Sequence, residues 1–161
     1  MNENYIEQLI KQKDTAATIV KKALLAGTSV LMAAACLISP IAVPFFVGKI
    51  ALDIYLFKFL NLEYEYLLYN GDLDIDKIMG MQRRKRVFEI KAKDIEVLAP
   101  TDSIELQQYE QLRAYDCSSN RGNKTYELVA NHKGQLVRIV FEPNEAILQI
   151  MKMYEPRKVF I

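Results

Sequence analysis

From Ala23 to Gly48 the chain carries no ionisable side chain except the thiol of Cys36, whereas the rest is densely charged. A bilayer core about 30 Å thick takes roughly 20 residues of helix to cross. The apolar run is long for one crossing, and Pro40 and Pro44 interrupt it. Proline removes a backbone donor and clashes with the preceding turn, so one straight helix through both is disfavoured. The pattern predicts two helices, Thr15 to Ile38 and Pro44 to Leu60, joined by the turn Ser39-Pro40-Ile41-Ala42-Val43. Ahead of them, Tyr5, Ile6, Leu9 and Ile10 recur at i, i+3, i+4 spacing, as on an interfacial amphipathic helix or a frayed start.

After Leu60 the pattern changes to alternation. Leu62 to Tyr69 reads as a strand, and Asn70-Gly71 is a strong hairpin-turn signal. Asp72, Asp74 and Asp76 then alternate with Leu73 and Ile75, as on a strand with one wet face. A turn near Met79-Gly80-Met81 leads to Arg84 through Ile90, and one at Lys91 to Asp94 leads to Ile95 through Leu98. These four strands form an antiparallel meander. Pro100 closes it, and Asp102 with Glu105 resembles a capping box opening a short helix through Leu112. Three more strands are expected at Leu112 to Cys117, Lys124 to Asn131 and Gln135 to Phe141. A helix beginning at Pro143 and Asn144 follows, with Ile147, Leu148, Ile150, Met151 and Tyr154 on its apolar face and Pro156 as its stop.

Four strands, three strands and a C-terminal helix is the order of a pleckstrin-homology-like small β-barrel, whose helix plugs one end of two nearly orthogonal sheets. That likeness carries no function by itself, and an unrelated small α+β domain is the alternative. The expected fold is therefore α+β, with about seven antiparallel strands and a capping helix behind a transmembrane helical hairpin. Residues 1–61 would be the amphipathic segment and membrane hairpin, and 62–161 a cytoplasmic pleckstrin-homology-like domain.

The basic residues orient the hairpin. Lys11, Lys13, Lys21 and Lys22 precede the first helix, Lys58 and Arg83 to Arg86 follow the start of the second, and the connecting turn is uncharged. Two spans with both termini cytoplasmic are expected, in the cell membrane. A secretory signal ending at Ala33-Ala34-Ala35, or a lipoprotein signal at Cys36, conflicts with the apolar sequence that continues beyond Cys36. A soluble hairpin buried by oligomerisation is a third reading, kept open by Lys49 and Asp53. Asn2 excludes N-myristoylation.

Charge adds detail. The net charge of +1 gives no overall pull toward nucleic acid or acidic partners. Lys49 and Asp53 are spaced i, i+4, so they meet on one helix face. This intramembrane charge pair is tolerable if it faces the first helix, where Ala26, Gly27, Ser29, Ala33 and Ala34 permit close packing. Its alternative role is an ion or proton relay. Arg83, Arg84, Lys85 and Arg86 are expected near the bilayer, in contact with an anionic inner leaflet. Cross-strand pairing of Arg84 and Arg86 with Asp72, Asp74 and Asp76 is the competing reading, and no aromatic interleaving favours nucleic acid.

Asp72, Asp74 and Asp76 open like a calcium loop, but Lys77 and Arg83 stand where its glycine and glutamate belong. Cys36 and Cys117 make no disulfide framework, and with His132 as the single histidine a Cys/His zinc site lacks ligands. No phosphate loop, nucleophile elbow or ligand cluster is present, so neither catalysis nor a cofactor is expected. Tyr64, Tyr66 and Tyr69 read as strand positions, and Cys117 as a structural thiol.

The stretch Leu62-Glu63-Tyr64-Glu65-Tyr66 through Asn70-Gly71-Asp72-Leu73-Asp74-Ile75-Asp76-Lys77-Ile78, then Arg84-Lys85-Arg86-Val87-Phe88, resembles a family of small Firmicute membrane proteins. Phe141-Glu142-Pro143-Asn144 and the ending Pro156-Arg157-Lys158-Val159-Phe160-Ile161 are similar too. The resemblance implies an N-terminal transmembrane hairpin with a pleckstrin-homology-like domain, and adds no activity. Inositol-lipid-binding domains of that fold usually gather basic residues at the first hairpin. Here Tyr69-Asn70-Gly71-Asp72 is tight and acidic, which argues against that ligand. Two functions follow: a membrane-anchored interaction or scaffolding module, with a protein partner or homo-oligomer, or an accessory subunit of a transport or channel complex working through the hairpin. A sheet edge or the groove beside the last helix would accept a partner's peptide strand.

Overall fold

The computed structural model describes residues 5–80 and 83–161. The helical hairpin follows the expected plan. Helix α1 spans Ala16–Ile38, a 3₁₀ turn covers Pro40–Ala42, and α2 spans Val43–Leu60. Thr15 caps α1, its Oγ1 accepting from the amide of Thr18 at 3.3 Å. Pro40 stands at the first position of the 3₁₀ turn, where its missing N–H costs nothing. At 1.5 Å per residue, α1 is about 35 Å long and α2 about 27 Å.

The hairpin is inserted between the first two strands of a sheet. Strand β1, Tyr5–Lys11, pairs antiparallel with β2, Leu62–Tyr69, setting Lys11 opposite Glu63. The segment expected to be an interfacial helix is therefore an edge strand, and its sheet begins at Tyr5. Ile6 and Ile10 pack on the core while Tyr5 and Leu9 face out. Spacing of four residues fits either period, and the ladder partner lies far along the chain.

Strands β3, Asp72–Met79, and β4, Arg83–Ile90, complete the order β1-β2-β3-β4. Asn70 and Gly71 both take positive φ, 49° and 88°, as the tight hairpin between β2 and β3 requires. Met81, part of the expected β3–β4 turn, lies outside the described residues, as does Asn2.

The chain then leaves this sheet. Asp72 Oδ1 accepts from the amide of Ala92 at 2.8 Å, and a 3₁₀ turn over Ala92–Asp94 redirects the backbone. Strand β5, Ile95–Pro100, consequently joins a second sheet instead of ending the first meander. That sheet has the order β5-β7-β8-β6, with β6 at Ala114–Asp116, β7 at Tyr126–His132 and β8 at Gln135–Phe141. Among the described residues, eight strands in two four-stranded sheets thus replace the expected small barrel of about seven strands. The β6–β8 pair is parallel, not antiparallel, because a crossover returns the chain beside β8.

The expected helix after Pro100 is a 3₁₀ turn, Ile104–Tyr109. Asp102 has φ 69° and Ser103 makes no side-chain cap bond, so no capping box forms. Helix α3, Glu145–Tyr154, is capped by Asn144, whose Oδ1 accepts from Ile147 N at 2.9 Å. Its Ile147, Leu148 and Met151 are buried, each contributing about 1.5–3 kcal/mol. They meet Tyr66, Leu68, Ile75, Leu128 and Phe141 in one core between the sheets. The C-terminal segment bridges the outer edge of β5, exchanging bonds between Leu98 and Lys158 and Phe160.

Candidate functional site

The hairpin carries one polar cluster. Lys49 Nζ lies 2.5 and 2.6 Å from the two carboxylate oxygens of Asp53, one helical turn away. Ser29 Oγ on α1 donates to Asp53 Oδ2 and accepts from Lys49 Nζ at 3.1 Å. Lys49 also reaches the Leu25 carbonyl, at 3.5 Å. The ammonium and carboxylate are thus satisfied by each other and by α1, and Asp53 is the one buried residue of α2. The sequence marked Ser29 as a small packing residue, and its hydroxyl completes the cluster. Apart from this contact the two helices bury almost nothing. No residue of α1 is buried, and Leu24, Val30, Leu31, Phe45 and Val47 are exposed.

Where the hairpin meets the sheet, cations gather. Lys22 Nζ bridges Asp14, at 2.5 Å, and Asn61 Oδ1, at 3.2 Å. The amide of Gly80 donates to the Asn61 carbonyl at 3.2 Å, which seats the β3–β4 turn against the end of α2. At Gly80, φ is 63° and a Cβ would come within 2.9 Å of the Lys58 carbonyl oxygen. Only glycine fits there without displacement.

The four basic residues that open β4 divide between two environments. Arg83 sits over the Phe59 ring, 6.0 Å from its centroid, at the foot of α2. Arg84 pairs with Glu65 at 2.7 Å and approaches Asp76 at 4.0 Å. Arg86 contacts Asp74 at 3.0 Å and Asp76 at 3.2 Å. These two arginines therefore serve the acidic outer face of the first sheet. Lys85 stands opposite Lys77 on β3, and neither has a carboxylate partner among the described residues.

On that outer face Glu65 and Asp76 are buried despite their charge. Glu65 Oε1 takes the Arg84 bond, while Oε2 has no partner. Burial first, then the neighbouring Glu7 carboxyl, raises the Glu65 pKa, and Arg84 opposes both. Among the described residues, no group of three His, Cys, Asp or Glu side chains converges as a metal site.

The two sheets are joined by polar contacts at their ends. Tyr66, fully buried on β2, donates to the Cys117 carbonyl at 2.6 Å and accepts from the Glu142 amide at 3.2 Å. Gln8 on β1 spans the start of α3, donating to Glu142 O at 2.8 Å and accepting from Asn144 N at 2.7 Å. The Cys117 thiol is enclosed, and burial pushes its pKa up to about 12. Tyr64 and Tyr66 lie in the core and Tyr69 is exposed.

A groove of about 470 Å3 runs beside α3, lined by Tyr126, Leu148, Gln149 and Ile161 among others. Against known proteins, the family model described as Bacterial PH-like domain (DUF6106) matches residues 2–161. No curated protein and no solved structure matches the chain.

Proposed function

The chain belongs to the bacterial PH-like domain family, and on that premise we propose that it is a membrane-anchored, non-catalytic interaction module. PH-like domains generally act as binding modules, not as enzymes. One observation carries the anchor: two long apolar helices, adjacent in sequence, present their side chains almost entirely to the surroundings. A soluble chain would leave that surface in water, at a cost of about 25 cal/mol for each Å2. A bilayer covers it.

In this reading the helices form two spans, with both termini and the two sheets at the cytoplasmic face. The basic side chains at the hairpin foot support that orientation, since Lys11, Lys13, Lys21, Lys22, Lys58 and Arg83 all belong to its flanks. Arg83 and Lys85 serve an anionic leaflet, while Arg84 and Arg86 are held by the sheet. A protein partner, or a second copy, would dock on the sheets as a scaffold client.

Protease access to a C-terminal tag on carbonate-washed vesicles tests the reading. Cleavage confined to inverted vesicles is expected. Cleavage confined to right-side-out vesicles would reverse the orientation, and loss of the tag in the wash would remove the anchor.

A second reading, an accessory subunit of a transport or channel complex, draws on the buried Lys49–Asp53–Ser29 cluster. Replacing Lys49 and Asp53 together by leucine separates the two. An anchor role predicts normal carbonate resistance and an undisturbed partner interaction, whereas an ion or proton role predicts loss of function in a chain that still inserts.

A further inference from the structure

Two grooves meet at the foot of the hairpin, and their chemistry differs. The upper one, about 260 Å3, lies between the start of α1 and the ends of β2 and β3, and Lys13 and Lys77 line it. The lower one, about 330 Å3, lies between the two helices, with Leu24, Leu25 and Leu56 as its walls and Lys21 at its edge. Phe59 and Leu60 line both grooves, so a cationic recess adjoins an apolar channel.

The charge in the upper groove is unbalanced. Asp14, its one acidic lining residue, is held by Lys22 at 2.5 Å. Lys77 faces Lys85 across the β3–β4 ladder, a like-charged pair that destabilises a sheet unless an anion lies nearby. Neither these lysines nor Lys13 has a carboxylate partner among the described residues. The neighbouring apolar channel would be poorly hydrated beside them. A phosphate headgroup followed by an acyl chain matches this sequence of environments.

We propose that the foot of the hairpin binds one anionic phospholipid, its phosphate between Lys13 and Lys77 and an acyl chain along the Leu24–Leu56 channel past Phe59. The inference rests on the membrane-anchor reading and names a site for that lipid. It lies away from the tight, acidic Asn70-Gly71 hairpin, on the opposite end of β2 and β3. Occupancy would neutralise the lysine pair and tie the first sheet to the bilayer at a fixed height.

The full chain, purified in mild detergent and delipidated, is titrated with dioleoyl phosphatidylglycerol, dioleoyl phosphatidylcholine or glycerol phosphate, and adducts are counted by native mass spectrometry. One phosphatidylglycerol per chain is expected, held about tenfold more tightly than phosphatidylcholine. The variant K13Q/K77Q should lose that preference, and Leu24→Trp, at an exposed channel position, should weaken uptake of both lipids. Lys91→Gln, at the far end of the sheet, should leave both unchanged and serves as the folding control. Equal uptake of the two lipids, or an unchanged preference in K13Q/K77Q, would overturn the site. Glycerol phosphate binding as tightly as phosphatidylglycerol would overturn the acyl channel. Carbonate extraction of the cell membranes, before detergent is added, separates the readings: a chain that washes out defeats the anchor, and one that stays but later shows no lipid preference defeats only the site.

Discussion

Replacing Tyr66 by phenylalanine removes one oxygen and leaves the packing in place. The ring keeps its edge-on contact with Phe141, at 5.5 Å and 79°. What is lost is the junction between the sheets, because the hydroxyl donates to Cys117 O and accepts from Glu142 N. Each buried backbone group left without a partner costs about 1–3 kcal/mol, so the pair should cost about 2–6 kcal/mol. For a chain of this size, at about 2–4 °C per kcal/mol, that lowers the melting temperature by about 4–24 °C. Burial raises the phenol's pKa far above the usual value, so the junction stays protonated at every working pH. Urea unfolding in micelles should show the loss, with faster exchange of the Glu142 amide under native conditions. Tyr69→Phe, at an exposed position, is the control and should change stability by less than about 0.5 kcal/mol. Equal stabilities for the two variants, with the Glu142 amide still protected, would refute the reasoning.

Three further outcomes are expected. Gly80→Ala forces a Cβ against the Lys58 carbonyl in a left-handed backbone, costing about 1–2 kcal/mol before any rearrangement; an unchanged melting temperature would contradict the close approach. Because its folded pKa is raised, Glu65 adds stability that is full below the ordinary glutamate range and is lost as pH rises through the folded value. Glu65→Gln should therefore flatten that part of the pH–stability curve, and parallel curves for the two proteins would exclude the effect. In a Cys36→Ala background, Cys117 should resist alkylation at about pH 8 until the domain unfolds, and rapid native labelling would show an open thiol.

The hairpin was legible because its signal is local: a long uncharged run, two prolines, and a charge pair one turn apart. The Asn70-Gly71 turn and the apolar face of α3 were legible for the same reason. What escaped depends on partners distant in sequence. Tyr5 to Lys11 carries a spacing that suits helix or strand, and only β2 decides between them. The alternation of Ile95 to Leu98 marks a strand but not its sheet, and the bond from Ala92 to Asp72 sends it to β7. Arg84 and Arg86 were readable as cross-strand partners of the acidic strand face, yet their division from Arg83 and Lys85 follows from register. The sequence marks Ser29 only as a small packing residue and gives Gln8 no role, since the hydroxyl of one and the amide of the other act through residues from another element.

The insertion of the hairpin between β1 and β2 bears on the order of assembly. During synthesis β1 emerges first, and its partner follows only after both helices. Closing so long a loop in solution carries an entropic cost that grows with its length. Insertion of both helices as an antiparallel pair would set Lys11 beside Glu63 and cover that cost in advance. A hairpin caught with one helix across the bilayer would hold β1 and β2 on opposite sides. The edge of β2 would then stay bare, and Gln8 could not reach Glu142 and Asn144. On the proposed anchor reading, completion of the first sheet would report that both helices have threaded, and a half-inserted chain would leave a bare strand edge.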